Sequence, residues 1–358
     1  MRILYLTFDD LSRPFAWTVH VRAIVNGLVK RGHQLRIVAP GGQAPGIDAP
    51  CDPLPAGRFQ HLAASAGVFL RSARDFKPDA IYVRGIHMTV TPALAAERAA
   101  RPFVVEVNGL LEEEVRSRLR RMAVRAAHRF TLARAARVVT VSPLLRDALS
   151  ARYGYPAERI DVVPNGADPV RFRPADRDAA RRALGLPVDR PIVLCVASFY
   201  PHHAADLLQA ACARTGALLV LVGGEVRREP DVWGAGPVPH EVVPEYVAAS
   251  DVCAYVLRAP HASFGFSPLK VFEYMAGGRP VAAATDLAEL RTFINGSGAG
   301  EAVELDVEAY AAVLRRLLED RAERDRLGRR GRELVETCYN WDRAAERVEA
   351  SIARAVRV

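Results

Sequence analysis

No C-x-x-C pair and no Cys/His cluster occurs in this 358-residue sequence; its five cysteines, Cys51, Cys195, Cys212, Cys253 and Cys338, are odd in number and scattered. That spacing excludes a disulfide framework and a zinc site, and predicts a reducing, cytoplasmic setting. No apolar stretch approaches the roughly 20 residues that a membrane-spanning helix needs. In place of a signal peptide, the chain opens on strand-like Arg2-Ile-Leu-Tyr-Leu-Thr-Phe8 followed by Asp9 and Asp10. No G-x-G-x-x-G fingerprint follows that strand, which disfavours an NAD-dependent Rossmann enzyme. Internal repeats and low-complexity tracts are also lacking.

What is present is enough for two packed cores: 50% of the residues are hydrophobic and 25% charged. The formal charge of +8 permits attraction to phosphates, nucleic acid or anionic lipid without choosing among them. Apolar runs alternate with helix-period segments, predicting strands near 2–8, 35–40, 80–85, 103–108 and 138–142. In a predicted helix over 18–31, Val21, Ile24, Val25, Leu28 and Val29 share one face and Gly32 ends it. A second series starts after Pro191, with strands near 192–198, 218–224, 252–257 and 280–285. The pattern predicts an α/β protein with two doubly wound Rossmann-like domains facing across a cleft. The expected domains are 1–170, 171–340 and a final helix, 341–358, packing back toward the first. A Pro- and Arg-rich linker, Asp168-Pro-Val-Arg-Phe-Arg-Pro174, lies between them. Ligands of open α/β sheets bind beyond the carboxyl ends of the strands, so candidate residues are sought there.

The most informative stretch is Ser263-Phe-Gly-Phe-Ser-Pro-Leu-Lys-Val-Phe-Glu-Tyr-Met-Ala-Gly-Gly-Arg-Pro-Val281. Ser267 reads as an N-cap and Pro268 as the first helical residue, leaving backbone N–H groups for a diphosphate. Lys270 falls in the first turn, and Glu273 lies about 4.5 Å further along the same face. A cation for phosphates and a carboxylate for ribose hydroxyls match a nucleotide laid along the helix. A solvated Lys–Glu pair on an amphipathic helix is the alternative that this spacing leaves open.

The whole stretch resembles the donor-binding segment of glycosyltransferase family 4, in the variant reading S-P-L-K-x-F-E-Y-M-A-x-G-x-P-V, which includes Leu269. Val163-Pro-Asn-Gly-Ala-Asp168 resembles the family's interdomain signature and follows Val138-Val-Thr-Val-Ser142. Leu221-Val-Gly223-Gly resembles its strand-to-loop turn, and Gly236-Pro-Val238-Pro-His240 the segment whose Val backbone contacts the base. The resemblance spans nearly the whole chain and implies the GT-B fold, retention of anomeric configuration, no metal, and no cofactor beyond a nucleotide sugar as co-substrate.

Several positions depart from the commoner family pattern. The first of two glutamates is replaced by Gly265, so backbone N–H groups of Gly265, Phe266 and Ser267 are expected to hold the donor sugar. The family's phosphate-clamping Arg and Lys correspond to Ser198 and His203, leaving Lys270 as the principal phosphate cation and His203 as an assistant when protonated or a neutral helix-start residue. A His-Asp pair after the fourth strand becomes Asn108-Gly109; Asn108 can bond a sugar hydroxyl but cannot exchange protons. Glu106 is read either as a cleft residue or as the buried partner of an arginine. Arg84 carries the same two readings. In the first loop, Arg13-Pro-Phe-Ala-Trp-Thr-Val-His20, His20 is either a residue facing the acceptor or ordinary helix-entry packing, and Trp17 is read as helix-entry packing in preference to a sugar platform.

Between residues 116 and 137 lie eight arginines and no acidic residue, interspersed with Leu119, Met122, Val124, Phe130 and Leu132. Contact with anionic membrane is one reading and a solvated helix face the other. No nucleic-acid module accompanies the charge. The sequence thus leads to a retaining glycosyltransferase, with a UDP-sugar favoured as donor and a glycan, lipid-linked or small-molecule hydroxyl as acceptor, in cell-envelope or exopolysaccharide synthesis, at the inner face of the membrane. A catalytically degenerate sugar-nucleotide-binding relative and a GT-B epimerase are the rivals.

Overall fold

The structure is a computed structural model that describes residues 1–13, 15–54, 60–85, 89–198, 203–259 and 267–357. Gly265 and Phe266 therefore lie outside the described residues. The chain divides into two compact units: residues 1–165, 263–267 and 341–358 form the N-terminal unit, and residues 166–262 and 268–340 the C-terminal unit.

The N-terminal unit is built on a parallel sheet of seven strands, β1 (Arg2–Thr7), β2 (Gln34–Pro40), β3 (Cys51–Leu54), β4 (Ala80–Arg84), β5 (Phe103–Val107), β6 (Arg137–Thr140) and β7 (Ile160–Val162), in the order β3-β2-β1-β4-β5-β6-β7. Order reverses between β1 and β4, which makes the carboxyl ends of those strands the crevice of this sheet. Interior strands are buried along their length, as Ile3, Leu4, Tyr5 and Leu6 of β1 are, because helices cover both faces. One cover is the helix Ala16–Lys30 paired with the final helix Trp341–Val356. They approach so closely that a Cβ on Gly27 would lie 2.5 Å from Cβ of Ala345.

The C-terminal unit carries a six-stranded sheet, β8 (Ile192–Val196), β9 (Leu218–Glu229), β10 (Val232–Gly236), β11 (Val252–Leu257), β12 (Val281–Thr285) and β13 (Gly300–Val303), in the order β10-β9-β8-β11-β12-β13. Its reversal lies between β8 and β11. The donor-segment helix spans Leu269–Ala276 and buries Val271, Phe272, Tyr274, Met275 and Ala276. The Tyr274 hydroxyl accepts a hydrogen bond from the Val196 N–H at 2.9 Å, fixing that helix to the end of β8.

Candidate active site

In the N-terminal unit the candidate residues converge on Glu106. It sits in β5 at 1% exposure, and four side chains approach its carboxylate. The Tyr82 hydroxyl donates to Oε2 at 2.6 Å and the Asn108 amide to Oε1 at 2.5 Å. Nε of Arg84 lies 3.3 Å from Oε1, and Nε2 of His20 lies 2.9 Å from the same oxygen, an ion-pair contact whose N–H direction is not aligned as a straight hydrogen bond. Burial alone pushes a carboxyl up, but His20, Arg84 and Tyr82 outweigh it and hold Glu106 at about 2. Arg84 reaches Asp9 with its other end. Glu106 and Arg84 are therefore buried ion-pair partners, and of the two readings the sequence allowed for each, the buried pair is the one found.

Asn108 is half-buried at the end of β5; its Nδ2 is taken by Glu106, while its Oδ1 is buried and accepts no hydrogen bond. That leaves one acceptor for a sugar hydroxyl. His20 is 7% exposed and lies against the Trp341 ring, edge-on at 5.6 Å. Its Nδ1 faces Oδ1 of Asn165 at 2.8 Å. Nδ1 is thus taken by Asn165, while Nε2 lies against Glu106 without an aligned hydrogen bond. Trp17 donates from Nε1 to the Asp10 carbonyl at 3.2 Å and packs on Phe15, the helix-start role that its position suggested.

Ser267 departs from its expected role. The residue in the N-cap position is Pro268, no side chain caps the helix, and its first residue is Leu269. The Ser267 hydroxyl accepts from the Asn165 N–H at 2.8 Å, and the Ser267 carbonyl accepts from Nδ2 of Asn165 at 2.7 Å. A tertiary partner has displaced the local cap: one oxygen that would satisfy the helix N–H groups is turned toward Asn165.

In the C-terminal unit, Lys270 and Glu273 share the face of helix Leu269–Ala276, and neither is a solvated surface group. Glu273 is 7% exposed, and its Oε1 meets Nε2 of His240 at 2.7 Å. The half-buried Lys270 ammonium lies 5.7 Å from the Tyr255 ring centroid. Burial lowers its pKa, against weaker opposing effects of Cys195 and Glu273. The His240 ring packs 5.7 Å from the ring of Phe172. The backbone there is held by NH1 of Arg332, which faces the carbonyls of Pro169 and Phe172 at 2.7 Å and of Ala276 at 2.8 Å.

Gly223 ends the straight part of β9 with φ +96°, and a Cβ there would stand 2.1 Å from the Ala197 carbonyl oxygen. Only glycine permits that approach between the ends of β8 and β9. Ser198 is exposed just past β8, His203 precedes helix Ala205–Ala213, Val238 follows β10, and Leu269 opens the donor-segment helix. Among the described residues no group of three His, Cys, Asp or Glu side chains is arranged to hold a metal ion. Asn165, His240 and Tyr274 were not singled out from sequence. The only signal for them was their place inside the quoted motifs, P-N165-G, V-P-H240 and E-Y274-M.

Comparison with known proteins gives one family match in each unit. Residues 18–171 match the family model described as Glycosyltransferase Family 4, and residues 190–320 that described as Glycosyl transferases group 1. Among relatives, the D-inositol 3-phosphate glycosyltransferase of Nocardia farcinica is 35% identical over 231 residues, 57% of this chain and 49% of that protein. The protein of the same name from Acidothermus cellulolyticus is 29% identical over 86% of this chain and 75% of its own length. The chain spans about half the length of the relatives it matches at 34–35% identity. Of solved structures, Anabaena HepE in complex with UDP-glucose superposes with a TM-score of 0.79 at 20% identity, covering 99% of both chains. Sucrose-phosphate synthase from Thermosynechococcus elongatus does so with 0.78 at 21%, covering 98% of both. Likeness of this kind over the full length establishes a two-domain GT-B fold.

Proposed function

We propose, for a chain that belongs among the GT-B glycosyltransferases, that it transfers a sugar from a nucleotide donor, UDP-linked by preference, to an acceptor hydroxyl with retention of configuration and without a metal ion. The observation that carries this reading is the pair on one helix face: a half-buried cation that, among the described residues, lies by the Tyr255 ring and in no ion pair, and a buried carboxylate one turn on that meets His240. Glu273 accepts hydrogen bonds from the ribose hydroxyls, with His240 fixing the carboxylate's orientation. Lys270 offsets charge on the departing diphosphate, which develops fully as the bond to the anomeric carbon breaks. The acceptor oxygen bonds to that carbon on the same face, its proton passes to the departing phosphate oxygen, and no covalent enzyme intermediate is assigned. Val238, Leu269 and Gly223 line the path of the base and phosphates, Ser198 and His203 stand beside it, and the N–H groups of Gly265, Phe266 and Ser267 hold the sugar. Asn108 accepts a hydrogen bond from a sugar hydroxyl through its open Oδ1.

The preference for uridine is supported by the solved HepE complexes with UDP-glucose and with UDP. A glycan, lipid-linked or small-molecule hydroxyl is the acceptor, and the relatives' name, D-inositol 3-phosphate glycosyltransferase, favours the small-molecule end of that range. Thermal protection across a panel of UDP-, GDP- and ADP-sugars tests the donor; product formed from donor alone, with no acceptor, identifies an epimerase, and binding with no turnover identifies a degenerate relative. Repeating the assay in EDTA tests metal independence.

The basic segment supports peripheral contact with anionic membrane. In helix Arg118–Leu132, Leu119 and Met122 are 79% and 59% exposed, flanked by exposed Arg118, Arg120, Arg125 and Arg129. A purely solvated face has no use for two large apolar side chains among its arginines, whereas a lipid headgroup layer accepts both. No described helix is long and apolar enough to cross a membrane.

A further inference from the structure

A cavity of about 260 Å³ opens in the C-terminal unit at the amino ends of β11 and β12, the opposite end of that sheet from the crevice into which the donor segment leads. Four arginines line it: Arg177 in the first turn of helix Arg177–Leu184, Arg279 just ahead of β12, and Arg321 and Arg324 in the first turn of helix Arg321–Thr337. Their partners are unequal. Arg177 divides its guanidinium between Asp251 at 2.7 Å and Asp178 at 3.1 Å. Asp251 is also taken by Arg181 at 2.6 Å and by the Ile192 N–H at 2.8 Å, so it has no charge to spare. Among the described residues Arg279 and Arg324 meet no carboxylate. Arg279 donates to the carbonyls of Val247 and Ala248, and Arg324 to those of Leu317 and Leu318. These are the last carbonyls of helices Val243–Ala249 and Val307–Glu319. They fix both guanidiniums in place, while a helix end supplies only about half a negative charge. Burial lowers the pKa of Arg279, and the positive charge of Arg177 and Arg181 works in the same direction against Cys253 and Asp251.

We propose that this cavity binds a phosphate group, free or as the monoester of a small molecule, between the guanidiniums of Arg279, Arg324, Arg177 and Arg321. Two carboxylates of the lining, Asp176 and Asp325, oppose an anion. Asp176 is committed to the Ala179 N–H at 2.6 Å as a helix cap, and Asp325 stands 3.8 Å from the exposed Arg321. With Arg181 counted behind Asp251, five guanidiniums (177, 181, 279, 321 and 324) meet four carboxylates (176, 178, 251 and 325). The amino ends of the helices starting at Arg177 and Arg321 add to the positive side. The cavity is smaller than the roughly 300–1,000 Å³ of pockets for drug-sized ligands, which suits one phosphate group with a short attached chain. Guanidinium forks match phosphate oxygens in geometry as well as in charge. The site lies apart from Lys270 and Glu273 and does not depend on the function proposed above.

The test is calorimetric titration of the full chain with inorganic phosphate and, separately, with glycerol 3-phosphate, at fixed ionic strength in a buffer free of other oxyanions. At least one of the two should bind at a single site, and the tighter of them distinguishes a free ion from a monoester. Arg321→Glu reverses an exposed charge and should weaken binding by about tenfold or more, the worth of one charge-assisted hydrogen bond. Asp325→Asn removes an opposing carboxylate and should tighten binding by roughly two- to fivefold, a gain that a damaged fold would not give. Arg329→Glu, the same reversal at an exposed arginine of that helix outside the cavity, should bind as the wild type does, and so should Lys270→Met. No binding of either anion at roughly millimolar concentration overturns the proposal, as does unchanged affinity in Arg321→Glu or in Asp325→Asn. Equal weakening by Arg329→Glu reveals attraction to net charge only, and loss of binding in Lys270→Met assigns the phosphate to the donor segment; either result overturns the cavity as its site.

Discussion

Replacing Glu106 by Gln keeps the shape of the side chain, removes one charge from the centre of the buried cluster and turns one accepting oxygen into an NH2 group, so lost charge and a lost acceptor act together. The size of the effect follows from the carboxyl's position at about 2 against an ordinary 4.5. At about 1.4 kcal/mol per pKa unit, the folded environment favours the ionised form by roughly 3 kcal/mol. The same order results from breaking a buried ion pair, about 3–5 kcal/mol, here because Arg84 loses its buried counter-charge. Glu106 is depressed in the folded state, so the native protein binds fewer protons than the unfolded chain between the two values. Its stabilisation is complete above about pH 4.5 and is lost as the pH falls toward 2. Urea unfolding in a Trp233→Phe background leaves Trp17 and Trp341 as reporters, and both belong to the N-terminal unit. The wild type and Glu106→Gln should differ by roughly 3 kcal/mol at pH 7, and the difference should narrow steadily through the acid window. A difference below about 1 kcal/mol at pH 7, or one that does not narrow in acid, would refute the electrostatic account of this cluster.

In the C-terminal unit, Glu273→Ala removes the carboxylate assigned to the ribose and should weaken UDP binding by about 10- to 100-fold in calorimetry; unchanged affinity with an intact fold would reject that role. Gly223→Ala forces a side chain at φ +96° into the Ala197 carbonyl, and should cost more than about 2 kcal/mol in the unfolding of its unit; wild-type stability would show that the close approach is dispensable. Leu119→Glu with Met122→Glu should abolish sedimentation with anionic vesicles, and retained binding would assign the basic helix to solvent. Lys270→Met should lower turnover by about 100-fold or more while leaving the unfolding midpoint equal to or above that of the wild type; a marked loss of stability would mean that the lysine is structural.

The strands that composition exposed and those it hid are separated by their place in the sheets. Every interior strand announced itself as an apolar run, from Ile3-Leu-Tyr-Leu6 to Val252-Cys-Ala-Tyr-Val256. The four not foreseen, β3, β7, β10 and β13, are the four edges. An edge strand is covered by fewer neighbours and tolerates Asp52-Pro53, Asp161, Gly234 and Glu301 where an interior one would not. The candidate site divides in the same physical way. Lys270 and Glu273 were legible because their relation is local, fixed by the helix repeat. The His20–Asn165 and Asn165–Ser267 contacts join residues 145 and 102 positions apart, and no spacing rule reaches so far. Ser267 shows the cost of relying on local rules alone: Ser-Pro at a helix start is a sound capping signal, overridden here by a distant amide.

Buried carboxylates are matched by cations in both units. Around Glu106 every charge has a counter-charge, and in the C-terminal unit Asp251 is likewise matched, to Arg177 and Arg181 at 2.7 and 2.6 Å. Lys270 differs: it is half-buried, and among the described residues its ammonium lies by the Tyr255 ring and in no ion pair, its proton held less tightly because of burial. Desolvating an unpaired ammonium opposes folding, and a chain does not keep such a group for stability. The penalty is relieved only when an anion arrives beside it, and a diphosphate that gains charge as its bond breaks relieves it most in the transition state. With Ser198 and His203 standing where the sequence resemblance leads one to expect phosphate cations, the function proposed above gives that task to Lys270. This is why methionine at position 270 is expected to leave the fold as stable as before and the transfer reaction nearly abolished, a combination that a merely structural lysine would not give.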